Sequence, residues 1–295
     1  QTPLATERFE SFDKEPLDFK FPTGFSGRAA DCGADLHRRE SRGGPVAAVV
    51  REKGTNGERE MAFALFAAGF EVRDVTMRDL ISGAETLEEV SFLVFPGGFS
   101  NSDVLGSSRG WAGAFRFNES ADRALRAFYA RSDTLSLGVC NGCQLMGHLG
   151  LLYPEHDQQL SLEHNASRKF ESIFLNVDIA ESTAAVMLQS LRGTRLGIWV
   201  AHGEGRFSLP QGPAAYDISA RYRSASYPAN PNGSDGNAAA VCSADGRHLA
   251  IMPHLERSLL PWNWGYYPRS GRGTHEVSPW MLAFADAKKW IDERR

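Results

Sequence analysis

The segment Leu137-Gly138-Val139-Cys140-Asn141-Gly142-Cys143-Gln144 carries a cysteine with a glycine two residues to either side. Its apolar front reads as a strand, Leu135 to Val139, and its continuation as a helix, Asn141 to Leu149, with no loop between them. This is the Gly-x-nucleophile-x-Gly elbow pattern with Cys in the nucleophile's place. A turn that sharp presses neighbouring backbones together and leaves no room for side chains at the two glycines. The free N–H groups and the dipole at the start of a helix favour a thiolate over a thiol, and the N–H of Asn141 would point at a developing oxyanion. The chemistry is nucleophilic attack by sulfur. The same residues allow two blander readings. Cys140-x-x-Cys143 could be a redox pair or half of a zinc site, although Cys32 and Cys242 are single and supply no second pair. Cys143, one helical turn on, could simply be a small core residue.

A cysteine nucleophile needs a base, and the base needs an orienting carboxylate. The strand-like run His248 to Met252 leads into Pro253-His254-Leu255-Glu256. Residues two apart on an extended segment project to one side, so Glu256 could hold one nitrogen of His254 while the other faces Cys140. His202-Gly203-Glu204 has the same spacing and is a rival base. Phe95-Pro96-Gly97-Gly98-Phe99 follows another apolar strand, Phe92 to Phe95, and its glycine N–H groups could supply a second oxyanion donor. Gly54-x-x-Gly57 lacks the Gly-Lys-Ser/Thr ending of a nucleoside triphosphate loop and reads as a turn into a helix.

These groups need a frame that brings strand ends together. Val46 to Val50 reads as a buried strand, and Thr55-x-x-Glu58 as a capping box opening a helix through Ala67. Strand Phe70 to Val75, helix Met77 to Ile81 and helix Ala121 to Arg131 complete an alternation that predicts a parallel sheet covered by helices on both faces. Ligands are expected beyond the carboxyl ends of such strands. The second half is richer in strands, with candidates at Phe170 to Ile179, Leu196 to Ala201 and Ala238 to Cys242, and a closing helix from Ser278 to Asp292. Residues 1–44 show scattered charge, prolines and no apolar period, as a linker or arm would. The expected division is therefore an arm over 1–44 and one α/β domain over 45–295.

Composition narrows the class. With 295 residues, 42% hydrophobic and 23% charged, the chain can bury a large core and is not intrinsically disordered. A net charge of −4 gives no general attraction to phosphate backbones, which argues against nucleic acid as partner. Four cysteines in this length do not form a disulfide framework, and no apolar run is long enough for a membrane span, so a cytoplasmic protein is expected. On that view the Asn-x-Ser sequons at Asn118, Asn165 and Asn232 are chance matches. A start at Gln1 without Met suggests a processed product or a piece of something longer.

Together, Gly-Val-Cys140-Asn-Gly-Cys-Gln, Pro-Gly-Gly98-Phe and Pro-His254-x-Glu256 resemble the triad-type, class I glutamine amidotransferases. Gly-Thr-Asn-Gly-Glu-Arg-Glu-Met61, Gly-Gly-Phe-Ser100, Gly-Trp111-Ala, His202-Gly-Glu-Gly-Arg206, Tyr-Pro-Ala-Asn-Pro-Asn-Gly-Ser234 and Ser-Pro-Trp280 are similar to the glutaminase domains of phosphoribosylformylglycinamidine synthases. The resemblance runs from about Pro45 to the C-terminus. It implies a flavodoxin-like, mostly parallel sheet with helices on both faces and a β-rich C-terminal extension. It implies Cys140, His254 and Glu256 as catalytic residues, Gly98 and Asn141 as oxyanion donors, and Phe99 and Gln144 as contacts for L-glutamine. No metal or cofactor is implied in this domain. ATP and Mg would belong to a synthetase part outside the chain, which would take the ammonia to convert formylglycinamide ribonucleotide to its amidine. Two positions depart from the pattern: Leu255 stands where many members have Pro, and Asn101-Ser102 where relatives commonly have Tyr and a small residue.

Overall fold

Val46–Arg51 and Val90–Phe95 are apolar along almost their whole length, which suits strands buried on both faces. In the computed structural model, which describes residues 17–40 and 43–295 together with Thr6 and Glu10, they lie second and third from one edge of a nine-stranded sheet. In chain order the strands are β1 (Val46–Arg51), β2 (Glu71–Thr76), β3 (Val90–Phe95), β4 (Leu135–Val139), β5 (Ser161–Glu163), β6 (Glu171–Ile179), β7 (Arg195–His202), β8 (Arg206–Ser208), β9 (Asp217–Tyr222), β10 (Ala238–Cys242) and β11 (His248–Ile251). The sheet order is β2-β1-β3-β4-β11-β10-β9-β6-β7, while β5 and β8 pair separately. From β2 to β11 the neighbours are parallel; from β11 to β7 they are antiparallel. The strand-rich second half is thus not a separate layer. It continues the same sheet.

Among the fully described elements, six α-helices accompany the sheet: α1 (Glu58–Ala67), α2 (Met77–Ser82), α3 (Arg109–Arg116), α4 (Glu119–Ala130), α5 (Asn141–Leu149) and α6 (Met281–Asp292). Helix α5 packs on β3, β4 and β11 and against α3, which in turn meets α4, whereas α1 packs on β1, β2 and α6. These two groups cover the two faces of the sheet, as βαβ crossovers require. Fully buried Trp111, Phe115, Phe92, Phe95, Trp280 and Phe284 fill the layers between.

Several local expectations are corrected. Thr55 and Glu58 do not form a capping box: the residue capping α1 is Gly57, at φ 87°, and the Thr55 hydroxyl donates instead to Glu52 O at 2.7 Å. The box lies one helix later, where Thr76 donates to Asp79 Oδ2 from both its N–H (2.8 Å) and its hydroxyl (2.7 Å). Helix α3 and strands β5, β8 and β9 are not expected from the sequence. β9 carries Asp217, Ser219 and Arg221 among its apolar residues, which hid it among the turns. The closing helix begins at Met281 rather than Ser278.

The described part of the N-terminal segment lies on the sheet's outer edge. Lys20 pairs with Arg195 of β7 through both backbone groups, at 2.9 and 2.8 Å, and Asp18 binds the Arg195 side chain at 2.6 Å. Phe19 and Phe21 meet the ring of Trp264 edge-on, with centroids 5.2 and 5.8 Å apart. Further on, Ala29, Cys32 and Ala34 are buried.

Candidate active site

Strands β3, β4 and β11 are parallel neighbours in register, Phe95 beside Gly138 and Val139 beside Ile251. Their carboxyl ends therefore deliver Gly97-Gly98, Cys140 and His254 to one place. Between β4 and α5 the chain turns at Cys140 alone, whose backbone sits at φ 51°, ψ −104°, a conformation L-residues rarely adopt. Such strain is held by its surroundings. A side-chain carbon at Gly142 would lie 2.0 Å from Phe95 O, and one at Gly138 would lie 2.6 Å from both Gly142 O and the Met146 sulfur. Both glycines are therefore steric requirements of the elbow.

His254 is buried, and its Nδ1 is 2.7 Å from Glu256 Oε1. A carboxylate only accepts, so Nδ1–H donates and Nε2 is left for other chemistry. Among the described residues Nε2 has no hydrogen-bond partner. Gly97 packs against both His254 and Cys140: a side-chain carbon there would lie 2.8 Å from His254 Cε1 and 3.4 Å from Cys140 Cβ. Burial works to lower the pKa of the His254 ring, but the charges of Glu256 and of Cys140 outweigh it and raise the value to about 9.

The rival base takes another state. His202 is buried, and its Nδ1 is 3.1 Å from Asn165 Oδ1, which also accepts from Gly205 N at 3.1 Å. That oxygen can only accept, so Nδ1 carries the proton and Nε2 accepts from Asn232 Nδ2 at 3.5 Å. Burial, and then the charge of His254, lower the His202 pKa to about 3. His202 is a neutral structural residue. Its two partners are also sequon asparagines, both buried, while Asn118 caps α4 by accepting from Ala121 N at 3.0 Å.

Edge strand β7 contributes a row of carbonyls that the sequence did not reveal. With even-numbered residues turned to β6, odd ones face outward. Arg195 O accepts from Lys20 N at 2.9 Å, Gly197 O from Trp280 Nε1 at 2.8 Å, and Trp199 O from His254 N at 2.8 Å. Last in the row, Ala201 O lies 3.6 Å from Cys140 Sγ. The alternation of apolar residues along β7 was legible; which groups its open edge would meet was not.

Gly98 bridges Thr55, with Asn56 N donating to Gly97 O (2.9 Å) and Phe99 N to Gly54 O (2.8 Å). The N–H of Gly98 itself therefore points the other way, to the cleft that Gly98 lines. Among the described residues neither that N–H nor the N–H of Asn141 is taken up by a hydrogen bond. The cleft, about 290 Å³, is lined by Phe99, Asp103, Ser107, Cys140, Gln144 and Glu204, with His164, Arg168, Lys169 and Phe170 at its outer side. The Phe99 and Phe170 rings lie 6.2 Å apart. Burial, helped by the like charge of Glu204, raises the Asp103 carboxyl above its ordinary value against the hydrogen bonds of Ser107, Ser108 and Asn141. Carboxylates together with Arg168 and Lys169 among the lining residues suit a small molecule carrying both charges. Asn101 and Ser102, at φ 52° and 55°, bend the loop between Phe99 and Asp103.

The other three cysteines are buried, and burial pushes Cys32 up to about 11 and raises Cys143 well above the ordinary thiol value. Cys143 packs in the core of α5. Among the described residues no three His, Cys, Asp or Glu side chains are grouped to hold a metal ion.

Residues 44–291 match the CobB/CobQ-like glutamine amidotransferase domain. The chain is 45% identical over 268 residues to the phosphoribosylformylglycinamidine synthase of Dictyostelium discoideum, and 42% identical over 286 residues to that of Homo sapiens. These alignments cover 84% and 88% of this chain but 20% and 21% of the relatives, so it spans about a fifth of their length. Among solved structures, a chain from PurLQS of Thermotoga maritima superposes with a TM-score of 0.64 at 24% identity, covering 84% of this chain and 100% of that one. A putative GMP synthase subunit of Thermoplasma acidophilum does so with a TM-score of 0.52 at 14% identity, covering 86% and 98%. At these identities the likeness is one of fold. Elbow, strand order and family match agree, and the chain belongs to the CobB/CobQ-like glutamine amidotransferase domain family.

Proposed function

We propose that this domain hydrolyses L-glutamine to glutamate and ammonia through a thioester on Cys140. The observation that carries the reading is the buried His254–Glu256 pair, 2.7 Å apart, with Nε2 unpartnered among the described residues and the ring packed with the elbow cysteine against Gly97. Cys140 Sγ bonds to the side-chain amide carbon of glutamine as His254 takes the thiol proton, and the carbonyl π electrons move to oxygen. Two inward N–H groups, of Gly98 and Asn141, hold that oxyanion. When the intermediate collapses, the C–N bond breaks and His254 returns the proton to nitrogen, so ammonia leaves. Water, deprotonated by His254, then attacks the thioester carbon; the C–S bond breaks, glutamate leaves and the thiol is restored. Glu256 keeps the ring oriented and stabilises its protonated form. The carboxylates and basic side chains that line the cleft support glutamine as substrate, with Phe99 packing over it.

The ammonia acceptor is a synthetase that uses ATP and Mg to convert formylglycinamide ribonucleotide to formylglycinamidine ribonucleotide in purine biosynthesis. Relatives of that name, four-fifths of whose length lies outside the aligned region, support this. Residues 1–44 are then the end of a preceding synthetase region. We place the enzyme in the cytoplasm as part of the same reading; no helix among the described residues is long and apolar enough to cross a membrane. The test measures glutamate release by the wild-type chain and Cys140→Ala, with and without a synthetase, its nucleotide substrate and ATP. Release that survives Cys140→Ala refutes the mechanism, and release indifferent to the added synthetase refutes the coupling.

A further inference from the structure

Three polar contacts run in one direction beneath Cys140. Ser100 N–H donates to Asn141 Oδ1 (3.2 Å), Asn141 Nδ2 donates to Gln144 Oε1 (3.0 Å), and Gln144 Nε2 donates to Glu204 O (2.6 Å). Amide orientations are normally interchangeable, because oxygen and nitrogen have nearly the same shape. Here they are not. A main-chain N–H can only donate and a main-chain carbonyl can only accept, so the two ends dictate both amides. All of Ser100, Asn141 and Gln144 are buried.

The chain joins two elements that pack from opposite sides of the cysteine. Ser100 stands two residues after Gly98, on the loop leaving β3, and Glu204 two residues after the end of β7. Asn141 and Gln144 lie on α5 between them, and α5 is pinned in turn by Ser108 Oγ donating to Asn141 O at 2.8 Å and by Gln144 N donating to Cys140 O at 3.0 Å. Each polar end of the Gln144 amide is engaged by one hydrogen bond, so the side chain is held in place while it lines the cleft.

We infer that the Asn141 and Gln144 side chains form one directional brace that sets the position of the Gly98 loop relative to Cys140 and the Glu204 wall. They are positioning residues for the oxyanion site, a role distinct from that of the Asn141 main-chain N–H. The inference rests on the acyl-transfer reading above. Asn141→Asp replaces the middle donor by an acceptor of the same shape, and Gln144→Glu does so at the last joint. Gln144→Met removes both joints of Gln144 without adding charge.

The test labels Cys140 in the full chain with two electrophiles, a diazoketone analogue of glutamine, whose carbonyl needs the oxyanion site, and iodoacetamide, which does not. Wild-type chain should react with the diazoketone at Cys140; failure there sinks the acyl-transfer reading and the brace with it. In all three variants diazoketone labelling should slow about tenfold to a hundredfold, below the loss from deleting an oxyanion donor outright, while iodoacetamide labelling stays within about twofold. The brace alone is overturned if the wild type reacts and the variants match it. It is also overturned if both electrophiles slow together with a falling melting temperature, which would mean general loosening.

Discussion

His202-Gly203-Glu204 and His254-Leu255-Glu256 present the same pattern, a carboxylate two residues after a histidine, and both rings are buried. Their states are opposite. At the second, a short helical turn over Leu255–Arg257 brings Glu256 back to Nδ1, and the ring's pKa rises to about 9. At the first, the chain leaves β7 and Glu204 turns to the other wall, where Ser107 N approaches Oε2 at 3.4 Å. Two neutral asparagines take the ring instead, and the pKa falls to about 3. Equal spacing therefore yields a proton carrier in one place and a neutral tie in the other. What separates them is whether the backbone after the histidine turns the carboxylate in or out.

The sharpest way to break this contrast is to delete each ring. His254→Ala should lower glutamate release by about a thousandfold or more, whereas His202→Asn should keep it within about tenfold, a steady-state assay being sufficient. Equal loss from both would make the two histidines functionally alike and refute the division. Next in size, Glu256→Gln should lower kcat about a hundredfold to ten-thousandfold by destabilising the protonated ring. Glu204→Gln, with its side chain aimed at Ser107, should act mainly through KM and by less than about tenfold; a larger kcat effect there would reverse the assignment.

Stability should show the mirror image. His202→Leu removes one hydrogen bond each from Asn165 and Asn232, which keep their bonds to Gly205, and should cost about 0.5–1.5 kcal/mol per bond lost, read as a lower denaturant midpoint at unchanged slope. Smallest is the pH dependence. His254 binds its proton more tightly folded than unfolded, so its contribution is complete below its ordinary pKa of 6.5 and lost as pH rises through about 9. His202 binds its proton less tightly folded, so its contribution is present above 6.5 and lost as pH falls towards about 3. Denaturation curves across pH should lose part of the alkaline limb in His254→Gln and part of the acid limb in His202→Leu. A limb that each variant leaves unchanged would show that neither ring has the state described.

Legibility followed the range of the interactions involved. The elbow was readable because Gly138, Cys140 and Gly142 are constrained by contacts within one strand-to-helix turn. Strands β1, β3, β4 and β11 were readable because burial on both faces makes them mostly apolar. The short polar strands β5 and β8 depend on each other for their hydrogen bonds, and nothing local marks them. Thr55-x-x-Glu58 misled for a related reason: Thr55 is drawn into a bridge with Gly98, which outweighs its local capping preference.

By itself the sequence determined which chemistry is available: one cysteine between two glycines, two His-x-Glu segments, paired glycines after an apolar strand, and an alternation of elements that places strand ends together. Those features are local, and local sterics suffice to read them. Only the tertiary structure decided which histidine meets Cys140, that the edge of β7 turns Trp199 O to His254 and Ala201 O to the thiol, and that Asn141 and Gln144 are tied into a single directed chain. Each of those outcomes depends on groups far apart in sequence finding one another's donors and acceptors in a dry interior, where an unpaired polar group is expensive and few arrangements leave none.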